Sequence, residues 1–199
     1  MRNNISAIIL AAGLSSRMGQ PKLLLPWGGT TVLGQVVSTF AAAGIEDIIV
    51  VTGGGRGQIE RLVADLAPDY PLRAVYNPLY VRGQMLSSIR AGLSALDSQT
   101  RAALIGLGDQ PLVREDTLRR ICAAFIRTGS PLVIPSFQNR RGHPWLAARP
   151  LWAKIMALPA STTPRQFLNT YDGQVEYVTT DESILRDLDT PEDYARQRP

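Results

Sequence analysis

The chain has 199 residues, 45% of them hydrophobic, enough to bury a core and short enough that a single domain over residues 1–199 is expected. No apolar stretch approaches the roughly 18 to 20 residues of a spanning helix, and Met1-Arg2-Asn3-Asn4 lacks the apolar core of a signal peptide, so a soluble, cytoplasmic protein with no membrane partner is expected. The net charge of +4 rests on 21 Lys and Arg spread without a run, which points to small anionic ligands and away from nucleic acid.

Apolar runs of strand length alternate with amphipathic stretches of helix length, the signature of βα units and a mostly parallel sheet. Strands are predicted over 7–11, 47–52, 72–76, 102–107 and 132–135, and helices over 31–43, 58–66, 87–96 and 114–127. Near-continuous apolar runs such as IIVV and ALIGL fit strands covered on both faces. The single cysteine, Cys122, lies in the helical pattern Leu118, Ile121, Phe125 and reads as core, since it has no disulfide partner and no thiolate neighbours. From about 136 to 181 the rhythm loosens, and this stretch is expected to be an excursion carrying part of a substrate site. The last element, DLDTPEDY, reads as a strand end followed by a helix, with Thr190 as N-cap, Pro191 at the first position and Asp193 at the third.

In an open α/β sheet ligands bind beyond the carboxyl ends of the strands, so the loop after Ala11 is the first place to look. Gly13 allows a close backbone approach, exposed amides there form an anion nest, and Arg17 and Lys22 add a bidentate guanidinium and a point charge. That combination suits a triphosphate. A P-loop is excluded, because Gly13 and Gly19 are six apart and no Gly-Lys-Ser/Thr follows. The dinucleotide fingerprint also fails, because Gln58 stands where the last glycine after Gly53 and Gly55 belongs. With one histidine and no G-x-S-x-G elbow, no Ser/His/Asp nucleophile can be assembled.

Four motifs carry a resemblance: LAAGLSSRMGQPK after the first strand, GDQP at 108–111, RGHP at 141–144 and DLDTPEDY at 187–194. Together they resemble the molybdenum cofactor cytidylyltransferases, the molybdopterin branch of the pyrophosphorylase-type NTP transferases. The resemblance runs from about residue 5 to residue 195. It implies a Rossmann-like three-layer α/β/α fold with a mostly parallel twisted sheet, like the nucleotide-diphospho-sugar transferases. It implies a nucleotidyltransferase that moves CMP from CTP to the phosphate of molybdenum-molybdopterin with Mg²⁺ as cofactor. A molybdoenzyme or its maturation chaperone is the protein partner it would bring.

Mg²⁺ takes one or two carboxylates and keeps several waters, so an isolated pair at strand ends is wanted. Asp109 after ALIGLG and Asp189 after SILRDL supply one, and the resemblance implies that they hold the metal; Asp187 competes for the second place. Arg17, Lys22 and Asp109 are then the expected catalytic residues. The nucleotide is expected against Leu10, Ala11, Ala12, Gly13, Gly83 and Gly108. Ala12, where the guanylyl branch carries glycine, tilts the base toward cytosine by resemblance.

Arg82, Gln84, Ser87 and Ser88 cluster at a predicted helix start suited to an anion or amide ring, and are candidates for the second substrate. Arg141 and His143, in the one local basic cluster, are further candidates, with Trp145 as a wall for a flat heterocycle. Two other readings stay open, transfer to a sugar phosphate and a carrier without chemistry. An NAD(P) oxidoreductase, superficially invited by VVTGGGRGQ, is opposed by the missing last glycine and by the lack of an acidic residue at a second strand end about 20 residues later.

Overall fold

The run Ile48–Thr52, IIVVT, is buried at every position, as a β-branched strand covered on both faces must be. It is the fourth of ten strands in the computed structural model, which describes residues 4–171 and 173–199. These are β1 (Ile5–Ala11), β2 (Pro26–Trp27), β3 (Thr30–Thr31), β4 (Ile48–Thr52), β5 (Leu72–Tyr76), β6 (Ala102–Leu107), β7 (Leu132–Phe137), β8 (Arg140–Arg141), β9 (Trp145–Ala148) and β10 (Val175–Thr179). The helices are α1 (Val32–Ala42), α2 (Arg56–Leu66), α3 (Gln84–Ser94), α4 (Glu115–Thr128), α5 (Trp152–Ala157), α6 (Pro164–Asn169) and α7 (Pro191–Gln197).

Eight strands form one sheet in the order β10-β7-β9-β6-β1-β4-β5, with β8 added to β7, while β2 and β3 make a separate hairpin. β1 pairs in parallel with β4 and β6, which puts the carboxyl ends of the three central strands side by side. Alternating side chains split the core into two layers. Ile9, Ile48 and Val50 face α1, α2 and α4, whereas Ile8, Ile49 and Val51 face α3, α5 and α6. The fold is the expected three-layer α/β/α class.

Three sequence expectations are corrected. The loosened stretch contains β9, which inserts antiparallel between β6 and β7 and is therefore central, and β10, parallel to β7. Trp145 is only 1% exposed because the strand's alternation turns it into the core among Ile8, Leu86 and Ile89, so it is no wall of an open site. SILRDL is also not a strand: Glu182–Leu185 is a short 3₁₀ turn, and 186–190 follows without regular structure. The final helix does carry the capping box, with Thr190 and Asp193 bonded reciprocally. Cys122 is buried on α4, and burial pushes its thiol up to about 11. No described helix is long and apolar enough to cross a membrane.

Candidate active site

Where β1 ends, the backbone turns at Ser15 (φ 51°), whose carbonyl accepts from Met18 N–H at 3.0 Å. Buried Met18 pins the loop to the core, and Gly19 (φ 70°) supplies the left-handed step that redirects the chain to Lys22. The Lys22 amide is held by the Ser15 hydroxyl at 3.4 Å. The loop is thus built from its own turn chemistry, and it projects Arg17 and Lys22 over the sheet edge.

A second glycine run keeps that loop in place. Gly54 N–H donates to the Ala12 carbonyl at 3.0 Å, and a Cβ on Gly54 would lie 2.8 Å from the Gly13 carbonyl. A Cβ on Gly53 would lie 2.8 Å from that of Ala12 and 2.6 Å from that of Tyr80. Gly53 and Gly54 of VVTGGGRGQ are therefore glycines because two loops approach closely there.

The carboxylates arrive by a separate route. Gly108 N–H continues the ladder to the Leu10 carbonyl at 3.0 Å and sets Asp109 at the end of β6. The Asp109 carbonyl then accepts from Leu188 N–H at 3.1 Å, which draws the segment around Asp187 and Asp189 alongside. Buried Gln110 strengthens the junction, donating Nε2 to the Ile184 carbonyl at 3.2 Å and to Asp187 Oδ1 at 2.6 Å.

The result is a cleft of about 480 Å³ in which cations and carboxylates meet. Lys22 Nζ bonds Asp109 Oδ2 and lies 3.2 Å from Asp189 Oδ1, while Arg17 Nη1 lies 3.0 Å from Asp189 Oδ2. Burial opposes the charge on Lys22, yet the charges and hydrogen bonds of Asp109 and Asp189 outweigh it and raise its pKa. Burial raises the pKa of Asp187, with Asp109 and Asp189 adding to the effect and the Gln110 bond opposing it. Arg17 is 70% exposed, so its pairing is weak in water and the guanidinium is free to turn onto a ligand.

Residues 7–175 match the MobA-like NTP transferase domain. The chain belongs to that family and is a nucleotidyltransferase. It is 33% identical over 190 residues to the molybdenum cofactor cytidylyltransferase of Escherichia coli K12, covering 96% of this chain and 93% of that one. It is also 30% identical over 207 residues to the nicotine blue oxidoreductase of Paenarthrobacter nicotinovorans, covering 96% and 95%. Among solved structures, Rv0371c of Mycobacterium tuberculosis H37Rv in complex with manganese superposes with a TM-score of 0.75 at 26% identity, over 96% of each chain.

In this nucleotidyltransferase the cleft is lined by Leu10 and Ala11 from the end of β1, by Ala12, Gly13, Arg17 and Lys22 from the loop that follows, by Gln84 and Ser88 from α3, and by Asp109 and Asp189. The other expected site residues fall elsewhere. Gly108 lies beneath the floor against the Leu10 carbonyl, and Gly83 caps α3 with its Cα packed on Ser87. The Ser87 hydroxyl is engaged with Asn77 Nδ2 at 2.8 Å and with the Gln84 carbonyl, and Arg82 is exposed outside the cleft lining. Arg141 turns to Asn169 Oδ1 at 2.8 Å and to the Tyr177 ring. His143 is partly buried near the Ile105 carbonyl at 3.4 Å; burial lowers its pKa, against the pull of that carbonyl and of Asp109.

Tyr80, Met85, Leu107 and Asp187 also line the cleft. Sequence reasoning passed over the first three because each is an apolar or aromatic side chain that reads as ordinary packing until the fold brings it to the cleft. Asp187 was weighed only as a rival to Asp189, whereas both reach the site.

Among the described residues no cluster of three or more His, Cys, Asp and Glu is arranged to hold a metal. A hard cation that keeps its waters needs less, one or two carboxylates. Asp109 and Asp189 converge on a single cationic point, the Lys22 ammonium, so this oxygen donor pair fits a divalent ion.

Proposed function

We propose that the protein transfers CMP from CTP to the phosphate of molybdenum-molybdopterin, releasing pyrophosphate and forming the cytosine dinucleotide. The observation that carries this reading is the convergence of Arg17, Lys22, Asp109 and Asp189 in one cleft of a chain 33% identical, over 96% of its length, to a molybdenum cofactor cytidylyltransferase.

In the reaction an oxygen of the acceptor phosphate bonds to the α-phosphorus of CTP, and the bond from that phosphorus to the bridging oxygen breaks. No protein nucleophile is needed; the difficulty is to bring two polyanions together. Mg²⁺ held by Asp109 and Asp189 would neutralise charge on the triphosphate. Gly13 admits the phosphates to the loop amides, and Arg17 and Lys22 stabilise the charge gathering on pyrophosphate. Ala12, which lines the cleft together with Tyr80, shapes the wall on which the base rests. Gln84, Ser88 and Met85 at the head of α3 face the acceptor side of the cleft, with Leu107 as its apolar floor.

The test is pyrophosphate release with molybdenum-molybdopterin and Mg²⁺, comparing CTP, GTP and ATP. Selective turnover with CTP is expected. Turnover with GTP would overturn the assignment of the base, and turnover only with a sugar phosphate would overturn the acceptor.

One observation favours a second reading, an oxidoreductase: the 30% identity to nicotine blue oxidoreductase. Against it, the glycine run that invites a dinucleotide is occupied in packing against the Ala12–Gly13 backbone. Binding of NAD(P)H with no pyrophosphate release would reverse this preference.

A further inference from the structure

Lys22 presents its ammonium to the same carboxylate oxygens that the proposed metal requires. Its Nζ bonds Asp109 Oδ2 and lies 3.2 Å from Asp189 Oδ1, and its side chain is only 14% exposed, so little water separates the charges. A divalent ion bound to both carboxylates would sit within about 2 to 2.6 Å of those oxygens, in the space the ammonium fills. Two cations cannot share it, because their repulsion in a poorly solvated cleft is large.

We propose that Lys22 and the divalent cation compete for Asp109 and Asp189, so that metal entry releases the Lys22 ammonium toward the triphosphate. The inference rests on the reading that a divalent metal works in this cleft.

The local architecture permits the exchange. The Lys22 backbone is fixed, its amide on the Ser15 hydroxyl and its carbonyl accepting from Leu25 N–H at 3.3 Å, so only the flexible four-carbon stem has to swing. Gly13, Ser15 and Ser16 line the same cleft, and there a phosphate would replace the lost carboxylates as partner. Charge sets the direction. Asp109, Asp187 and Asp189 stand against Arg17 and Lys22, so the site carries one negative charge in excess, and two once Lys22 is neutralised. Lys22 thus works as a positioning device as well as a phosphate ligand: it weakens metal binding by the bare cleft and couples it to the arrival of a triphosphate.

Removal of the Lys22 charge should therefore tighten metal binding. Mn²⁺ alone, without nucleotide or acceptor, is titrated into the unaltered protein, Lys22→Met and Lys22→Arg, and free Mn²⁺ is followed by electron paramagnetic resonance. Lys22→Met is expected to bind Mn²⁺ at least about tenfold more tightly, within the usual range of site coupling. Lys22→Arg should stay near the unaltered affinity. Equal or weaker binding by Lys22→Met overturns the proposal.

A second measurement needs no variant. The chain has two lysines, Lys22 and Lys154, so protein labelled at lysine Cε with ¹³C gives two resolved probes. Titration with Mg²⁺ should move the Lys22 resonance and leave that of Lys154, which lies over the Tyr171 ring, in place. A Lys22 resonance unmoved across the whole titration overturns the proposal. Because neither experiment contains CTP or an acceptor, its failure leaves the transfer reading standing, and failure of CTP turnover leaves this one standing.

Discussion

Leu188 N–H donates to the Asp109 carbonyl at 3.1 Å, a backbone bond that joins the turn after β6 to the chain entering α7. Through it the site becomes one object: Asp109 stands on the sheet edge, and Asp187 and Asp189 are held on either side of completely buried Leu188.

Since that bond uses backbone atoms, removal of the Asp109 side chain leaves the junction intact. Asp109→Ala is expected to lose at least about a hundredfold in kcat, the usual cost of deleting a preorganised electrostatic group. Its circular dichroism should match that of the unaltered protein. A variant retaining most of its turnover would remove Asp109 from the proposed metal pair.

Gln110 is the side chain that fixes Asp187, through the 2.6 Å bond from Nε2. Gln110→Leu removes that donor from a poorly solvated carboxylate and should destabilise the fold by roughly 1 to 3 kcal/mol, read as a lower urea midpoint. An unchanged midpoint would mean that Asp187 finds another donor.

Two glycines of one run should respond oppositely. Gly54→Ala places a methyl group 2.8 Å from the Gly13 carbonyl, and the resulting shift of the phosphate loop should raise the KM for nucleotide at least about tenfold. Gly57 lies within α2 with nothing inside 4 Å of an added Cβ. Gly57→Ala should leave KM alone and add about 0.5 to 1 kcal/mol of helix stability. Equal KM values for the two variants would dissolve the proposed contact.

His143 is the chain's single histidine, and burial holds its pKa below the ordinary 6.5. The unfolded chain therefore takes up the proton first. Its contribution to stability is complete above about pH 6.5 and declines as pH falls, until the folded imidazole also protonates. A proton NMR titration of the lone imidazole should give a midpoint below 6.5, and His143→Gln should flatten the acid side of the stability profile. A midpoint at or above 6.5 would contradict this account.

What the sequence determined by itself was local. The run IIVVT, the glycine and proline stops, the cap at Thr190 and the spacing of Gly13, Arg17 and Lys22 each encode their own backbone shape within a few residues. From these the βα alternation and the loop that projects Arg17 and Lys22 over the sheet edge were readable, and the four motifs carried the family. Only the tertiary structure decided that β9 runs antiparallel through the middle of the sheet, that Trp145 is core, and that 186–190 reaches the cleft without being a strand. It also decided that Gln110 holds Asp187 and that Lys22 lies between two carboxylates from distant parts of the chain. Periodicity reports which face of an element is buried, but strand order and cross-chain hydrogen bonds depend on which distant surfaces fit together, and that fit exists only once the chain has packed.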